Sequence, residues 1–257
     1  MLSLLLTNLL VTLAALTILW LVSIPLRDTS IIDPCWGLGF SLIAWLTLWQ
    51  SSPRGIGALL LVALTTLWGG RLALYLLLRN RGHGEDRRYA SLRNSFGPSF
   101  WWISYPVVFL LQGLLMWIVS FPVQIGIAAS ADRSPGFLSL LGLILFLVGF
   151  TFETLGDWQL ARFKRNPQNR NRVMDRGLWR YTRHPNYFGD FTLWWGLYLI
   201  ACDFGAYWTI FSPLLMSFLL LRVSGVTLLE RDISERRPDY LAYRRRTNAF
   251  FPGKPRD

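Results

Sequence analysis

Two cysteines and two histidines are all that this chain of 257 residues carries of the softer metal ligands. That scarcity excludes a disulfide framework and leaves too few ligands for an ordinary zinc site. Cys35 falls at the start of one apolar run and Cys202 at the end of another, near opposite faces of a bilayer. A hydrocarbon thickness of about 30 Å far exceeds the ~7 Å Cα separation that a disulfide tolerates. A G-x-G-x-x-G turn and a P-loop are also missing, so no soluble-type nucleotide domain is indicated. No Lys or Arg precedes Arg27. The first apolar run, up to Pro25, therefore lacks the basic head of a signal peptide and reads as a first membrane span with its N-terminus outside. Charged residues make up only 16% of the chain, and no polar block is large enough for a soluble domain.

What is there instead is apolar and aromatic. Hydrophobic residues account for 53% of the chain, with 13 Trp and 17 Phe. Runs long enough to cross a bilayer recur. They predict an all-α polytopic membrane bundle of seven spans, at 3–25, 32–50, 56–78, 100–128, 136–162, 186–202 and 206–230. The chain reads as one membrane domain, 1–257. It falls into two halves, 1–130 and 136–257. With the N-terminus outside, segments 26–35, 79–99, 162–185 and 231–257 face the cytoplasm and hold 22 of the 26 Lys and Arg residues. That asymmetry obeys the positive-inside rule. It makes the net charge of +11 a signal of topology and of contact with anionic lipid, ahead of nucleic-acid binding. The expected location is a bacterial inner membrane, with the C-terminus cytoplasmic.

Ionisable residues within spans are costly and point to function. In the third span, Trp68, Arg71, Tyr75 and Arg79 follow helical spacing. Arg71 either snorkels to the interface or lines a polar cavity, with Asp33 a candidate partner. The loop "GHGEDRRY" that follows is dense in charge and flanked by glycine; it suits an anion or is simply solvated. In the fifth span Glu153 and Asp157 share a face. Arg162, Lys164 and Arg165 follow, then Arg170, Arg172 and Arg176. Interfacial ion pairs at i,i+4 would explain this. So would an adenosine with phosphates, because carboxylates accept from hydroxyls and guanidinium groups grip phosphate.

The stretch "RYTRHPNYFGDFTLWW" places Pro185 at the head of a helix, with Asn186, Asp190 and Trp194 along one face. A helix N-terminus favours anions. Asp190 either complements the helix dipole or, with Asn186, supplies the paired donor and acceptor that a primary carboxamide needs. The tail adds Arg231, Tyr240, Tyr243 and the run Arg244–Arg246. It also reads as a basic amphipathic segment lying on the membrane.

The run "GLWRYTRHPNYFGDFTLWWG", with "ERD…RPDYLAYRRRTNAFFP" some 40 residues later, resembles the C-terminal half of the steroid 5-alpha-reductase and sterol reductase superfamily, in particular a bacterial branch of it. The resemblance is carried by 149–257 and weakens over the first half. It implies a seven-helix bundle and an NADPH-dependent reductase of a carbon–carbon double bond in a steroid-like or lipid enone. By matched position, Asn186, Asp190 and Trp194 would face the nicotinamide, and Glu153 and Asp157 the adenosine or ribose. Lys164, Arg172, Arg176, Tyr181 and Arg183 would meet phosphates. His184, Arg231, Tyr240 and Tyr243 would complete the cofactor side.

The resemblance implies a catalytic tyrosine in the third helix, and this chain has Trp68 there. An indole N–H donates a hydrogen bond but does not readily transfer a proton. Asp33, Arg71 and Tyr75 are the candidate catalytic residues, with Tyr105 a further donor. The substrate would be a hydrophobic small molecule taken from the bilayer, and no metal is expected. Membrane methyltransferases of lipids or isoprenylcysteine share the shorter Arg-His-Pro-x-Tyr run and use S-adenosylmethionine. Asp190, which they usually lack, is the discriminator. A non-catalytic relative is the third reading.

Overall fold

The computed structural model describes residues 1–52, 55–131, 133–223 and 239–256. Among them there is no strand. The protein is a helical integral membrane protein, and five helical stretches are long and apolar enough to span a bilayer: Leu2–Leu26, Thr29–Gln50, Ile56–Asn80, Arg87–Val119 and Phe137–Arg165. The stretch Tyr207–Val223 is apolar but shorter, and the end of the expected seventh span, 224–230, lies outside the described residues. The chain divides into two compact units, Met1–Pro135 with Ala201–Thr209, and Gly136–Ile200 with Ile210–Asp257.

The first unit is built from α1 (Leu2–Leu26), α2 (Ile32–Gln50), α3 (Ile56–Asn80), α4 (Arg87–Phe96), α5 (Phe100–Ser104), α6 (Leu111–Val119) and α7 (Phe121–Ala129). Proline sets its breaks. Pro25 lies in the last turn of α1, and Arg27 closes that helix at φ 51°. The expected single span 100–128 is interrupted twice. A π-turn over Tyr105–Leu110 contains Pro106, which offers no N–H to the regular ladder. Pro122 then sits in the first turn of α7, where its missing N–H costs nothing.

Lipid gives helices no hydrophobic reason to associate, so close packing and interhelical hydrogen bonds do that work. Gly37 of α2 meets Gly69 of α3 so closely that a methyl group on either would strike the other's carbonyl. Trp68 is 1% exposed, its ring edge-on to Phe40 with centroids 5.5 Å apart. The indole at the expected catalytic tyrosine position is thus packed into the α2–α3 seam. Asn8 ties α1 to its neighbours. It donates to Thr47 Oγ1 at 2.7 Å and to Gln124 Oε1 at 2.9 Å, and accepts from Gln50 Nε2 at 2.9 Å.

The second unit contains α8 (Phe137–Arg165), most of α9 (Pro185–Asp203), α10 (Phe211–Phe218) and α11 (Tyr240–Arg246). Glycines spaced seven apart line both sides of one crossing. Gly142 of α8 faces Gly196 of α9, Gly149 faces Gly189, and Gly156 meets Pro185 and the Asn186 amide. A seven-residue repeat keeps two helices in register along one seam, and here it is filled with the smallest residue. The backbones approach closely, and side chains adjoining the seam are buried between them.

Candidate functional site

Glu153 and Asp157 lie in that seam, 4% and 3% exposed. Asn186 Nδ2 donates to Asp157 Oδ1 at 3.1 Å, joining the carboxylate of α8 to the carboxamide of α9. A Cβ at Gly189 would press on the backbone and Cβ of Glu153, so the glycine is what allows Glu153 its place. Asp190 and Trp194 continue from Asn186 along α9, the indole 1% exposed and the aspartate half-buried. Glu153, Asp157 and Asn186, which the sequence assigned to different parts of one cofactor, thus lie together at one helix crossing.

The turn between α8 and α9 is bolted to the C-terminal segment by main-chain contacts. Trp179 Nε1 donates to Gly156 O at 3.0 Å, and Tyr243 O–H donates to Trp179 O at 2.5 Å. Arg183 Nη1 donates to Thr247 O at 2.7 Å and Arg244 O at 3.1 Å, while Arg183 N donates to Asn248 O. His184 Nδ1 lies 3.0 Å from Ala249 O, and Thr182 Oγ1 donates to Phe250 O at 2.7 Å. These bonds place Arg183, His184 and Tyr243 in a scaffold that fixes the head of α9. Tyr240 packs on Tyr243, with ring centroids 5.7 Å apart. Tyr181 is largely exposed, its carbonyl accepting from Gly253 N. Lys164, Arg172 and Arg176 are exposed. Arg231 lies outside the described residues.

Arg176 also lines a cleft of about 780 Å³ between the turn and the tail, with Arg180, Arg245, Arg246 and Arg256. Its one carboxylate, Asp175, accepts from Arg246 Nη2 at 2.5 Å.

In the first unit Asp33 is 7% exposed and held by α4. Arg88 Nη2 donates to its Oδ2 at 2.6 Å, and Tyr89 O–H donates to its Oδ1 at 2.7 Å. Gln112 Nε2 donates to the Tyr89 oxygen at 3.3 Å, and Trp36 Nε1 donates to Gln112 Oε1. The chain from indole to amide to phenol to carboxylate joins α2, α4 and α6. Arg71 instead lies over the Tyr75 ring at 5.3 Å, with Arg79 near the same ring at 5.9 Å. Arg88 is thus an ion-pair partner of Asp33 that the spacing did not reveal. Tyr89 and Gln112 were missed as well, although the charged loop that leads into α4 had been marked. That loop is organised by two acids. Asp86 caps α4 through Arg88 N at 3.0 Å. Glu85 accepts from Arg93 Nη2 at 2.7 Å and from Thr29 N at 2.8 Å. Burial alone would raise the Glu85 carboxyl, but the bonds from Arg93 and Thr29 outweigh it and hold the group below its ordinary value.

Among the described residues no group of His, Cys, Asp and Glu is arranged to hold a metal ion. The family of proteins of unknown function DUF1295 matches residues 19–247. An uncharacterised protein of Schizosaccharomyces pombe, C594.04c, is 27% identical over 91% of this chain and 76% of its own length. No solved structure matches.

Proposed function

Because the chain belongs to the DUF1295 family, whose description states no activity, we propose a function from its own residues: an NADPH-dependent membrane reductase of a carbon–carbon double bond in a hydrophobic enone. The observation that carries this reading is the Asp157–Asn186 hydrogen bond beside buried Glu153. Buried polar groups of this density are expensive in a membrane protein and default to function. Their chemistry fits the cofactor. Carboxylates accept from ribose and adenine, and an amide beside an acid matches a primary carboxamide. Glu153 and Asp157 would hold the adenosine or ribose, Asn186, Asp190 and Trp194 the nicotinamide end, and Lys164, Arg172 and Arg176 the phosphates. When bound, NADPH supplies hydride.

The chain's own part is to supply the proton and hold the substrate carbonyl. Tyr89 O–H donates to Asp33, and the pair is held in place by Arg88 and Gln112. It is the proton source, and it replaces the tyrosine absent at Trp68. Arg71 and Tyr75 line the substrate side. The substrate enters from the bilayer, the N-terminus lies outside, the basic segments face the cytoplasm, and the membrane is a bacterial inner membrane.

The test is product analysis. The purified chain is incubated with NADPH carrying deuterium at the transferred position and with a panel of steroid and lipid enones. One deuterium at the β-carbon of a saturated product is expected. A panel without product, together with methyl transfer from S-adenosylmethionine to a lipid, would replace this reading with the methyltransferase one.

A further inference from the structure

The helix α4 brings Arg88 and Tyr89 to Asp33, yet little apolar contact holds it there. Among its ten residues, all of them described, Tyr89 alone is buried. By contrast α6, one residue shorter, buries Gly113, Met116 and Val119. A segment with few buried apolar contacts opens more readily than the core around it. Three arginines in ten residues also make α4 too polar for the hydrocarbon. Its outer face, with Arg87, Ser91 and Asn94, is exposed.

What fastens α4 is polar and partly exposed. Arg93 grips Glu85, with Nε on Oε2 at 2.8 Å and Nη2 on Oε1 at 2.7 Å. Glu85 Oε1 also accepts from Thr29 N, in the turn that leads into α2. Arg88 joins Asp86 to Asp33. Ion pairs of this exposure are individually weak. They can break and re-form without disturbing the seam of α2 and α3. Glycine stands at both ends of the helix: Gly82 at φ 80° and Gly84 at φ 69° before it, and Gly97 at φ 56° after it. A Cβ at any of the three would meet nothing within 4 Å. The backbone conformation, not crowding, is what calls for glycine there. Beyond Gly97 the chain is anchored again by buried Phe100.

We propose that α4 is a hinged lid over Asp33, turning on Gly82, Gly84 and Gly97 and latched by Glu85. Closed, it sets the Tyr89 phenol against Asp33 and keeps water out, with both carboxylate oxygens taken. Open, it gives both groups access to bulk water. The use of the lid rests on the reading of Asp33 and Tyr89 as the proton source. Each substrate molecule takes one proton from the Tyr89 hydroxyl alongside its hydride. The phenolate left behind must take one proton back from water before the next turnover, and a shut lid blocks that return. Glu85 is then a positioning residue. It touches no reacting atom, but it sets how long Tyr89 stays on Asp33.

The probe is N-acetylimidazole, which acetylates a tyrosine oxygen that water can reach. It is applied to the full chain in neutral detergent, and each tyrosine is read by peptide mass spectrometry. Tyr181, 46% exposed, is the fast reference. Tyr243, 2% exposed and bonded to Trp179 O, is the slow one. Tyr89 is buried almost as deeply, at 5% exposed, yet should react faster than Tyr243 in the parent chain. Glu85→Ala should speed Tyr89 about fivefold, and Glu85→Gln, which keeps an acceptor for Thr29 N, about twofold. Tyr181 and Tyr243 should not change. Tyr89 as slow as Tyr243 in all three chains would overturn the lid. A joint rise of Tyr89 and Tyr243 in both variants would show general unfolding and overturn it too. Should Glu85→Ala fail to fold, Glu85→Gln alone carries the test. Enone turnover without acetylation of Tyr89 would keep the reductase and remove the lid. Acetylation without turnover of any enone would keep the lid and remove its use as a proton gate.

Discussion

Both units pack helices through glycine, but they surround their buried acids differently. In the first, Gly37 against Gly69 draws α2 and α3 together, and Asp33 is held by a cation and a phenol from α4. In the second, a seven-residue glycine stripe draws α8 and α9 together, and Asp157 takes a carboxamide, while the arginines gather in the cleft beyond the helix ends. A carboxylate held by a guanidinium and a phenol suits proton handling. Carboxylates and an amide in one seam, with a separate basic cleft, suit a long ligand with polar ends of different character. The reading of one unit as proton source and the other as cofactor seat rests on that contrast.

The contrast is broken most severely at Tyr89. Tyr89→Phe removes the phenolic proton while keeping the ring, so turnover of an enone substrate should fall by about 10²–10⁴-fold, with NADPH affinity unchanged. Steady-state kinetics beside a binding titration would check this, and full activity in the variant would remove Tyr89 from the chemistry. Next comes Gly189→Val. A branched side chain there meets the backbone of α8 and Glu153. The forced separation of the helices should cost about 1–3 kcal/mol in detergent unfolding, whereas Gly70→Val, at a position with open space around its Cβ, should cost far less.

Asp190→Asn sharpens the comparison from the other side. It should weaken NADPH binding or slow hydride transfer about tenfold, equivalent to about 1.4 kcal/mol, and should leave the first unit undisturbed. Unchanged kinetics would take Asp190 out of the cofactor site. The smallest effect concerns pH. The folded Glu85 carboxyl titrates below its ordinary value of 4.5. The stability it contributes is therefore complete above that value and is lost as pH falls through the lower, folded one. Glu85→Gln should flatten this part of the acid-unfolding profile, by less than about 1 kcal/mol for a partly exposed pair. Identical profiles for the variant and the parent chain would show that the Arg93 bond contributes nothing.

Much of the fold was legible because span length and hydropathy are local properties. Five of the seven expected spans are matched by helices long and apolar enough to cross. The breaks at Pro106 and Pro122 were not foreseen, because the residues around them stay apolar. For the candidate site, spacing was informative only within a helix. Glu153 with Asp157, and Asn186 with Asp190, were visible as four-residue intervals. The bond that joins the two pairs spans 29 residues. Asp33 reaches Tyr89 across 56 residues, and no periodicity encodes that distance. Arg183 shows a second contact that spacing does not encode: within a basic cluster it reads as a phosphate ligand, and it also donates to carbonyls 61 and 64 residues away, fastening the tail. Residue type alone does not separate an arginine that grips a ligand from one that holds the main chain together.

The most direct test of the account is the thermal stability of the purified chain titrated separately with NADPH and with S-adenosylmethionine. A ligand of the native state at about 100 times its dissociation constant adds about 2.7 kcal/mol. The account predicts stabilisation by NADPH, none by S-adenosylmethionine, and loss of the NADPH effect in Asp157→Ala. Stabilisation by S-adenosylmethionine alone, or by neither ligand on a folded sample, would contradict it.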